Sequence, residues 1–115
     1  MKKKLAIVGS RSFTDQSLLD KMLRVHSDKI EVVISGGAPG ADTLAENWAK
    51  KYSIPVIVHP AEWDKYGKRA GYLRNVKIIE DCDVCIAFWD GKSKGTWHSI
   101  SLCDKLNKPC KVIRF

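Results

Sequence analysis

The stretch Ser35-Gly36-Gly37-Ala38-Pro39-Gly40-Ala41-Asp42 joins an apolar run to a helical pattern and decides the predicted fold. Its glycines permit positive φ and let an anion approach the backbone, and the helix that begins near Asp42 or Thr43 offers free N–H groups. Thr43-x-x-Glu46 has the spacing of a capping box, which would fix this helix start. The stretch matches neither the nucleoside-triphosphate loop nor the dinucleotide fingerprint. It predicts an anion site, with a plain tight turn as the alternative.

Apolar runs and helical stripes alternate along the rest of the chain. The runs rich in β-branched residues, which predict buried strands, are Leu5 to Val8, Val32 to Ile34, Val56 to Val58, Val84 to Phe88 and Lys111 to Phe115. The stripes of helical period lie within Leu18 to His26, Leu44 to Tyr52, Tyr72 to Ile79 and Ile100 to Leu106. This alternation predicts an α/β fold, a five-stranded parallel sheet in the order 3-2-1-4-5 with helices on both faces. A ligand crevice is expected between the first and fourth strands, where the strand order reverses.

Length and composition limit the class of protein. A chain of 115 residues predicts a single domain, residues 1–115, around one core. The net charge of +7 suits an acidic partner, and charge alone leaves nucleic acid and a phosphorylated small molecule open. The basic start at Lys2 to Lys4 leads into an apolar run too short for a signal peptide, and no stretch is apolar enough to span a membrane. We therefore expect a cytoplasmic protein without a membrane partner.

The cysteines are a second feature that could define a site. Cys82, Cys85, Cys103 and Cys110 would suffice for disulfides or for a metal site. The first two have C-x-x-C spacing, but the other two form no second pair of that kind. We expect reduced, buried structural thiols, and neither a metal nor a cofactor.

Other loops that follow strands also carry glycines and polar residues. Gly9-Ser10-Arg11-Ser12 follows the first strand, and Gly95-Thr96 stands before the last helix. Because the carboxyl ends of parallel strands share one sheet edge, these residues are expected to form one cradle with the glycine-rich stretch. The predicted anion contacts are Ser10, Arg11, Gly37, Gly40, Ala41 and Thr96. A bulky residue at Gly40 is expected to weaken binding and to leave the domain folded.

The segment from Pro60 to Arg69 predicts a long binding loop. Its aromatic residues, Trp63 and Tyr66, suit stacking on a base, and packing on the sheet edge is the alternative. Basic residues in the same segment suit an acidic partner.

Short motifs spread over nearly the whole chain form one pattern. They are Gly9-Ser10-Arg11, Gly36-Gly37-Ala38-Pro39-Gly40-Ala41-Asp42, Trp63-Asp64, Arg69-Ala70-Gly71, Arg74-Asn75, Ala87-Phe88-Trp89-Asp90-Gly91 and Gly95-Thr96. This pattern resembles the YspA-like family of the SLOG superfamily, which also holds the DNA processing protein DprA and the Lonely Guy phosphoribohydrolases. The resemblance implies a Rossmann-like fold of three layers, a nucleotide-derived ligand and a homodimer.

The resemblance to the Lonely Guy enzymes can be followed residue by residue. Arg74 matches the arginine that those enzymes carry on the third helix, and Gly95-Thr96 matches the G-T of their P-G-G-x-G-T-x-x-E motif. Trp89-Asp90-Gly91 replaces the P-G-G in a longer loop, and Ser99 stands where the motif has its glutamate. A serine cannot stabilise an oxocarbenium-like transition state as a carboxylate does.

The catalytic candidates are therefore Arg74 and a relocated carboxylate, Asp90. Asp64 and Asp42 are the other carboxylates left in the loops, and Asp42 is the least favoured because a helix cap is expected to occupy it. The function predicted first is binding of a nucleotide or nucleotide-derived ligand by a sensor or binding domain. N-glycoside hydrolysis of a nucleoside monophosphate is the alternative, and single-stranded nucleic-acid binding, as in DprA, is the second alternative. The predicted ligand-binding residues are Gly9, Ser10, Arg11, Ser12, Ser35, Gly36, Gly37, Gly40, Ala41, Asp42, Trp63, Arg69, Arg74, Asn75, Trp89, Asp90, Gly95 and Thr96.

Overall fold

The computed structural model describes residues 2–115 as strands alternating with helices. The strands are β1 (Lys3–Gly9), β2 (Ile30–Ser35), β3 (Val56–Val58), β4 (Val84–Trp89) and β5 (Cys110–Arg114). The helices are α1 (Gln16–Arg24), α2 (Ala41–Lys51), α3 (Trp63–Tyr66), α4 (Ala70–Asp81) and α5 (Lys94–Lys105), with 3₁₀ turns at Ser27–Lys29 and Gly67–Arg69. Within residues 2–115, no helix has both the length and the apolar character that crossing a bilayer requires.

The strands form one parallel sheet in the order β3-β2-β1-β4-β5. β1 lies at the centre, where Ala6 pairs with Ile34 of β2 on one side and with Cys85 of β4 on the other. The strand order reverses between β1 and β4, so the loops after these strands flank the switch point. The predicted order and the Rossmann-like architecture are confirmed.

Helices cover both faces of the sheet because the strands carry apolar side chains on both. α1 and α2 bury residues such as Leu23 and Trp48 against one face. α4 and α5 bury Ile79 and Cys103 against the other face. These residues belong to the helical stripes predicted from the sequence. The second layer places the beginnings of α4 and α5 beside the carboxyl ends of β1 and β4.

The start of α2 differs from the sequence prediction, since the expected capping box does not form. Gly40 precedes the helix with a φ of 83°, and no side chain caps this end. Thr43 Oγ1 donates to the carbonyl of Ala38 at 3.0 Å, and Glu46 Oε2 accepts from Ser35 Oγ at 2.8 Å. Both side chains tie the helix to the preceding strand and loop. The turn into the helix depends instead on a backbone conformation that glycine adopts readily.

The segment from Pro60 to Arg69 is more ordered than the predicted loop. It contains the short helix α3 and the 3₁₀ turn that follows it. The ring of Trp63 packs close to Gly71, with a ring carbon 3.3 Å from the position that a Cβ would take there. The segment therefore folds back on the first turn of α4, because Gly71 leaves room for the indole.

Candidate functional site

A cavity of about 310 Å³ opens at the switch point, between the end of β1 and the beginnings of α4 and α5. Its volume lies at the lower end of the range typical of small-molecule sites. The wall is formed by Val8, Gly9, Arg11, Ala38, Asp42, Trp63, Lys68, Gly71, Tyr72, Arg74, Asn75, Ile78, Ser93, Gly95, Thr96 and Ser99.

One face of α4 lines this cavity. Gly71, Arg74, Asn75 and Ile78 recur at helical spacing, which puts them on the same side of the helix. Arg74 is half-buried, and its NH1 donates to the carbonyl of Gly36 at 3.1 Å while its Nε donates to Asn75 Oδ1 at 3.3 Å. These bonds fix the guanidinium between the helix and the glycine-rich loop.

Two cations face the same cavity. Burial lowers the pKa of Arg74, the nearby Asp42 carboxylate raises it, and the charge of Arg11 lowers it further. Both arginines line the same cavity, and their like charges oppose each other. An anion between them would remove this repulsion and could accept hydrogen bonds from both.

Asp42 supplies a buried carboxyl group to the wall. Only 6% of this residue is exposed. Its Oδ2 accepts from the backbone N–H groups of Gly36 at 3.1 Å and Ala38 at 3.3 Å. Burial raises its pKa from 3.8 to about 6, a change that these bonds and the charge of Arg74 oppose. A carboxyl group with this pKa can exchange a proton near neutral pH.

Asp42 is the least favoured carboxylate on sequence grounds, because a helix cap is expected to occupy its side chain. Asp42 instead stands inside the first turn of α2, and its side chain turns back to the loop. Spacing alone does not reveal which N–H groups an aspartate at a helix start will bind.

The first turn of α5 forms another part of the wall. Ser93 Oγ caps this helix by accepting from the Thr96 N–H at 3.3 Å. Asn75 Nδ2 and Ser99 Oγ both donate to the carbonyl of Gly95, at 3.3 Å and 3.4 Å. The space where a side chain at Gly95 would stand is open, because apart from its chain neighbours and the backbone of its own helix no heavy atom lies within 4 Å. A helix N-terminus held in this way favours an anion through its N–H groups and its dipole.

Aromatic and basic side chains surround the mouth of the cavity. Trp63 is 50% exposed and Tyr72 is 47% exposed. The ring of Tyr72 makes an edge-to-face contact with His98 at a centroid distance of 4.7 Å. Lys68 lies on the same rim. Tyr72 and Lys68 were not predicted as site residues, because Tyr72 fits the helical stripe equally well and Lys68 stands among other basic residues.

Glycines in the glycine-rich loop allow close contacts with other parts of the chain. A Cβ at Gly40 would lie 2.5 Å from the carbonyl oxygens of Ser10 and Arg11. At Gly36 a Cβ would lie 2.8 Å from Arg74 Cδ and 2.9 Å from Asp42 Oδ2. The expectation that Gly40 tolerates a bulky residue is therefore wrong, since the chain's own backbone fills that space.

Only some of the predicted ligand-binding residues line the cavity. The predicted residues in its wall are Gly9, Arg11, Asp42, Trp63, Arg74, Asn75, Gly95 and Thr96. The predicted residues outside the wall, as far as residues 2–115 define it, are Ser10, Ser12, Ser35, Gly36, Gly37, Gly40, Ala41, Arg69, Trp89 and Asp90. The cavity thus lies toward α4 and α5, away from the middle of the glycine-rich loop.

Asp90 belongs to the supporting structure of the loop after β4. Its Oδ1 accepts from the N–H groups of Lys92 and Ser93, both at 2.8 Å, and these bonds lower its pKa. Trp89 supports the same loop, because its Nε1 donates to the carbonyl of Ser93 at 3.1 Å and its ring stacks on Trp97. Both residues shape the turn that leads into α5.

The strand order and the cavity at its reversal define a Rossmann-like domain with a pocket at the switch point. The model of the YspA, cpYpsA-related SLOG family matches residues 3–66. Gene 61 protein of Mycobacterium phage D29 is 36% identical over 124 residues, which cover 98% of this chain and 96% of that protein. The chain belongs to the YspA, cpYpsA-related SLOG family.

Solved structures share the fold. DprA from Streptococcus pneumoniae superposes with a TM-score of 0.84 at 19% identity, covering 99% of this chain and 51% of that chain. DprA from Helicobacter pylori, studied for its single-stranded DNA binding mode, gives 0.67 at 24% identity, covering 95% and 64%. TM1055 gives 0.72 at 20% identity, covering 96% and 72%. The chain thus spans between half and two thirds of the DprA chains.

Proposed function

We propose that the cavity binds a nucleoside monophosphate or a related nucleotide, with the phosphate between Arg11, Arg74 and the first turn of α5. The observation that carries this proposal is the convergence of Arg11, Arg74 and the first turn of α5 on the wall of one cavity. The open space at Gly95 and the helix start beside it support the same position for the phosphate. An anion held by two arginines and a helix N-terminus receives charge-assisted hydrogen bonds from several directions.

The base would lie at the mouth of the cavity. Trp63 and Tyr72 offer exposed ring faces there, and stacking on an aromatic ring is tolerant of base identity. The ribose would then face Asp42 and Asn75, which line the wall between the phosphate and the rim. This arrangement suits a sensor or binding domain, and a volume of about 310 Å³ suits a mononucleotide better than a dinucleotide.

A binding experiment tests this proposal. Isothermal titration with AMP, GMP, CMP and UMP, and separately with inorganic phosphate, should give saturable binding to one site per chain. Arg74→Ala should weaken mononucleotide binding at least tenfold, because a charged hydrogen bond to phosphate is lost. Arg24→Ala removes the same charge from the exposed end of α1 and should leave the affinity unchanged. Equal losses in both variants, or no mononucleotide binding by the wild type, would contradict the proposal.

The fold shared with DprA makes single-stranded nucleic acid the main competing ligand. A short oligonucleotide should bind more weakly than a mononucleotide in the cavity, and its affinity should fall steeply with salt. Oligonucleotide binding that exceeds mononucleotide binding at physiological salt, and that Arg74→Ala leaves intact, would favour the nucleic-acid function.

Hydrolysis of the N-glycosidic bond is a second candidate function, and the buried Asp42 favours it. Its carboxylate could take a proton from water as the water oxygen attacks the anomeric carbon and the base leaves with the bonding electrons. Because Asp42 has a pKa of about 6, base release should rise with pH through that value.

Chromatography of free base after incubation with nucleoside monophosphates tests this candidate. Asp42→Asn should abolish any release, whereas Asp90→Asn should retain it because Asp90 lies outside the cavity wall. Release that persists in Asp42→Asn would exclude Asp42 as the base.

A further inference from the structure

Three cysteines from different elements meet on the face of the sheet that α4 and α5 cover. They are Cys85 on β4, Cys103 on α5 and Cys110 on β5, and their sulfur atoms all lie within 4.8 Å of one another. Cys85 and Cys110 are register partners in neighbouring strands. Cys82 stands apart from this thiol cluster, and its Sγ donates to the carbonyl of Ile79 at 3.3 Å.

The size of the thiol cluster suits a bound metal ion. Zinc–sulfur bonds of about 2.3 Å place coordinated thiolates roughly 4 Å apart, a separation that the sulfur atoms of the cluster can reach with small movements. Cys85 and Cys103 are buried, at 2% and 1% exposure, whereas Cys110 is partly exposed and offers an entry path.

The protonation of the thiol cluster is uneven. Hydrogen bonding with Cys103 and Cys110, together with burial, raises the pKa of Cys85, and the pKa of Cys103 is raised to about 12. Donation from Cys103 and Cys85 lowers the pKa of Cys110 to about 4. Zn²⁺ binds cysteine as the thiolate, so its uptake would release protons and its affinity should rise with pH.

We propose that Cys85, Cys103 and Cys110 bind Zn²⁺ through three thiolates. Soft thiolate ligands select thiophilic ions such as Zn²⁺ and Cu⁺. Three thiolates leave a net charge of −1 around Zn²⁺ and −2 around Cu⁺, and burial favours the smaller charge. The bound ion joins the edge strand β5 to β4 and to α5, the helix whose first turn borders the cavity. This site is independent of the proposed nucleotide function, which uses none of these cysteines.

Metal uptake by the reduced full-length protein tests the proposal. Equilibrium dialysis against Zn²⁺ and against Cd²⁺, followed by metal analysis, should give one ion per chain. Cd²⁺ should also give a thiolate-to-metal charge-transfer absorption band. Cys110→Ser should weaken uptake at least tenfold and reduce this band. Cys82→Ser, the matched control outside the thiol cluster, should bind as the wild type does.

A second variant and a folding control keep the result clear. Cys103→Ala should also lose the ion, and circular dichroism of each variant before metal addition reports whether it is folded. If Cys103→Ala fails to fold, the partly exposed Cys110 carries the test. Absence of stoichiometric uptake by the wild type, equal loss in Cys82→Ser, or full retention in a folded Cys110→Ser would each overturn the proposal.

Discussion

The starts of α2 and α5 each carry a glycine, Gly40 directly before α2 and Gly95 in the first turn of α5, and the surroundings of these two glycines are opposite. Gly40, in the loop after β2, has no room for a side chain, since a Cβ would lie 2.5 Å from two carbonyl oxygens. At Gly95, in the first turn of α5, an added Cβ would have no heavy atom within 4 Å apart from its chain neighbours and the backbone of its own helix. One glycine allows the chain to approach itself, and the other leaves space at the wall of a cavity.

This difference changes how a glycine-rich loop is interpreted. In the loop after β2, the N–H groups of Gly36 and Ala38 are already bound by the carboxylate of Asp42. That loop therefore resembles an anion site whose anion belongs to the protein. The loop before α5 also binds its own carboxylate, since Asp90 accepts from the N–H groups of Lys92 and Ser93, but the space at Gly95 is open. A motif that permits anion binding does not by itself identify which anion is bound.

The largest effect is expected from Gly40→Ala. Its φ of 83° with ψ of −131° disfavours any side chain, and the Cβ would meet backbone oxygens that cannot move aside. The loss in free energy of unfolding should be roughly 3–4 kcal/mol. Urea denaturation followed by circular dichroism measures it. Gly95→Ala is the matched control and should unfold close to the wild-type midpoint. A similar loss in both variants would remove the distinction between the two helix starts.

The next effect concerns the pH dependence of stability at Asp42. Its pKa is about 6 when folded and 3.8 ordinarily, so folding favours the protonated form. The contribution of this group to stability therefore falls as pH rises from about 4 to about 6 and stays constant above that range. Asp42→Asn keeps an oxygen that can accept both loop N–H groups and removes the charge. The difference in free energy of unfolding, variant minus wild type, should therefore increase by about 3 kcal/mol from pH 3.5 to pH 7.5.

Urea denaturation of both proteins at the two pH values measures this difference. The comparison cancels the titration of the other carboxyl groups. A constant difference between the two proteins across this range would show that Asp42 does not titrate as its burial requires.

A smaller effect on binding is expected from Trp63→Ala. Loss of stacking on a base costs about 1–2 kcal/mol, or roughly a five- to thirtyfold loss of mononucleotide affinity. Trp97→Ala is the matched control, because Trp97 is 53% exposed, compared with 50% for Trp63, but stacks on Trp89 outside the cavity. Titration calorimetry of both variants should show the loss for Trp63→Ala alone.

The smallest effect is expected from Asp90→Asn. The amide oxygen can still accept from the N–H groups of Lys92 and Ser93, so the turn before α5 should persist. Mononucleotide affinity should stay within about twofold of the wild type. A larger loss, measured by the same titration, would indicate that Asp90 belongs to the binding site. It would also weaken the proposal that Asp42 is the catalytic carboxylate.

The fold followed from the sequence because buried parallel strands need apolar residues on both faces, and runs such as Val84 to Phe88 are too apolar for any exposed position. Arg74 was predicted through a family resemblance and does line the cavity. The bonding of Asp42 was missed, because it depends on the path of a loop that spacing does not describe. The thiol cluster was missed because Cys85, Cys103 and Cys110 become neighbours only through the packing of three elements.

The most direct test of the proposed binding site is to identify the backbone amide signals that a bound nucleotide shifts. A ¹⁵N-labelled sample titrated with AMP should show saturable shifts of the Gly71, Asn75, Gly95 and Thr96 amide signals, since these residues line the cavity. The amides of Gly36 and Gly40 should shift much less, because the chain's own groups enclose them. Shifts concentrated at Gly36 and Gly40, with Gly95 and Thr96 unchanged, would contradict binding in the cavity and would indicate that the ligand binds at the glycine-rich loop.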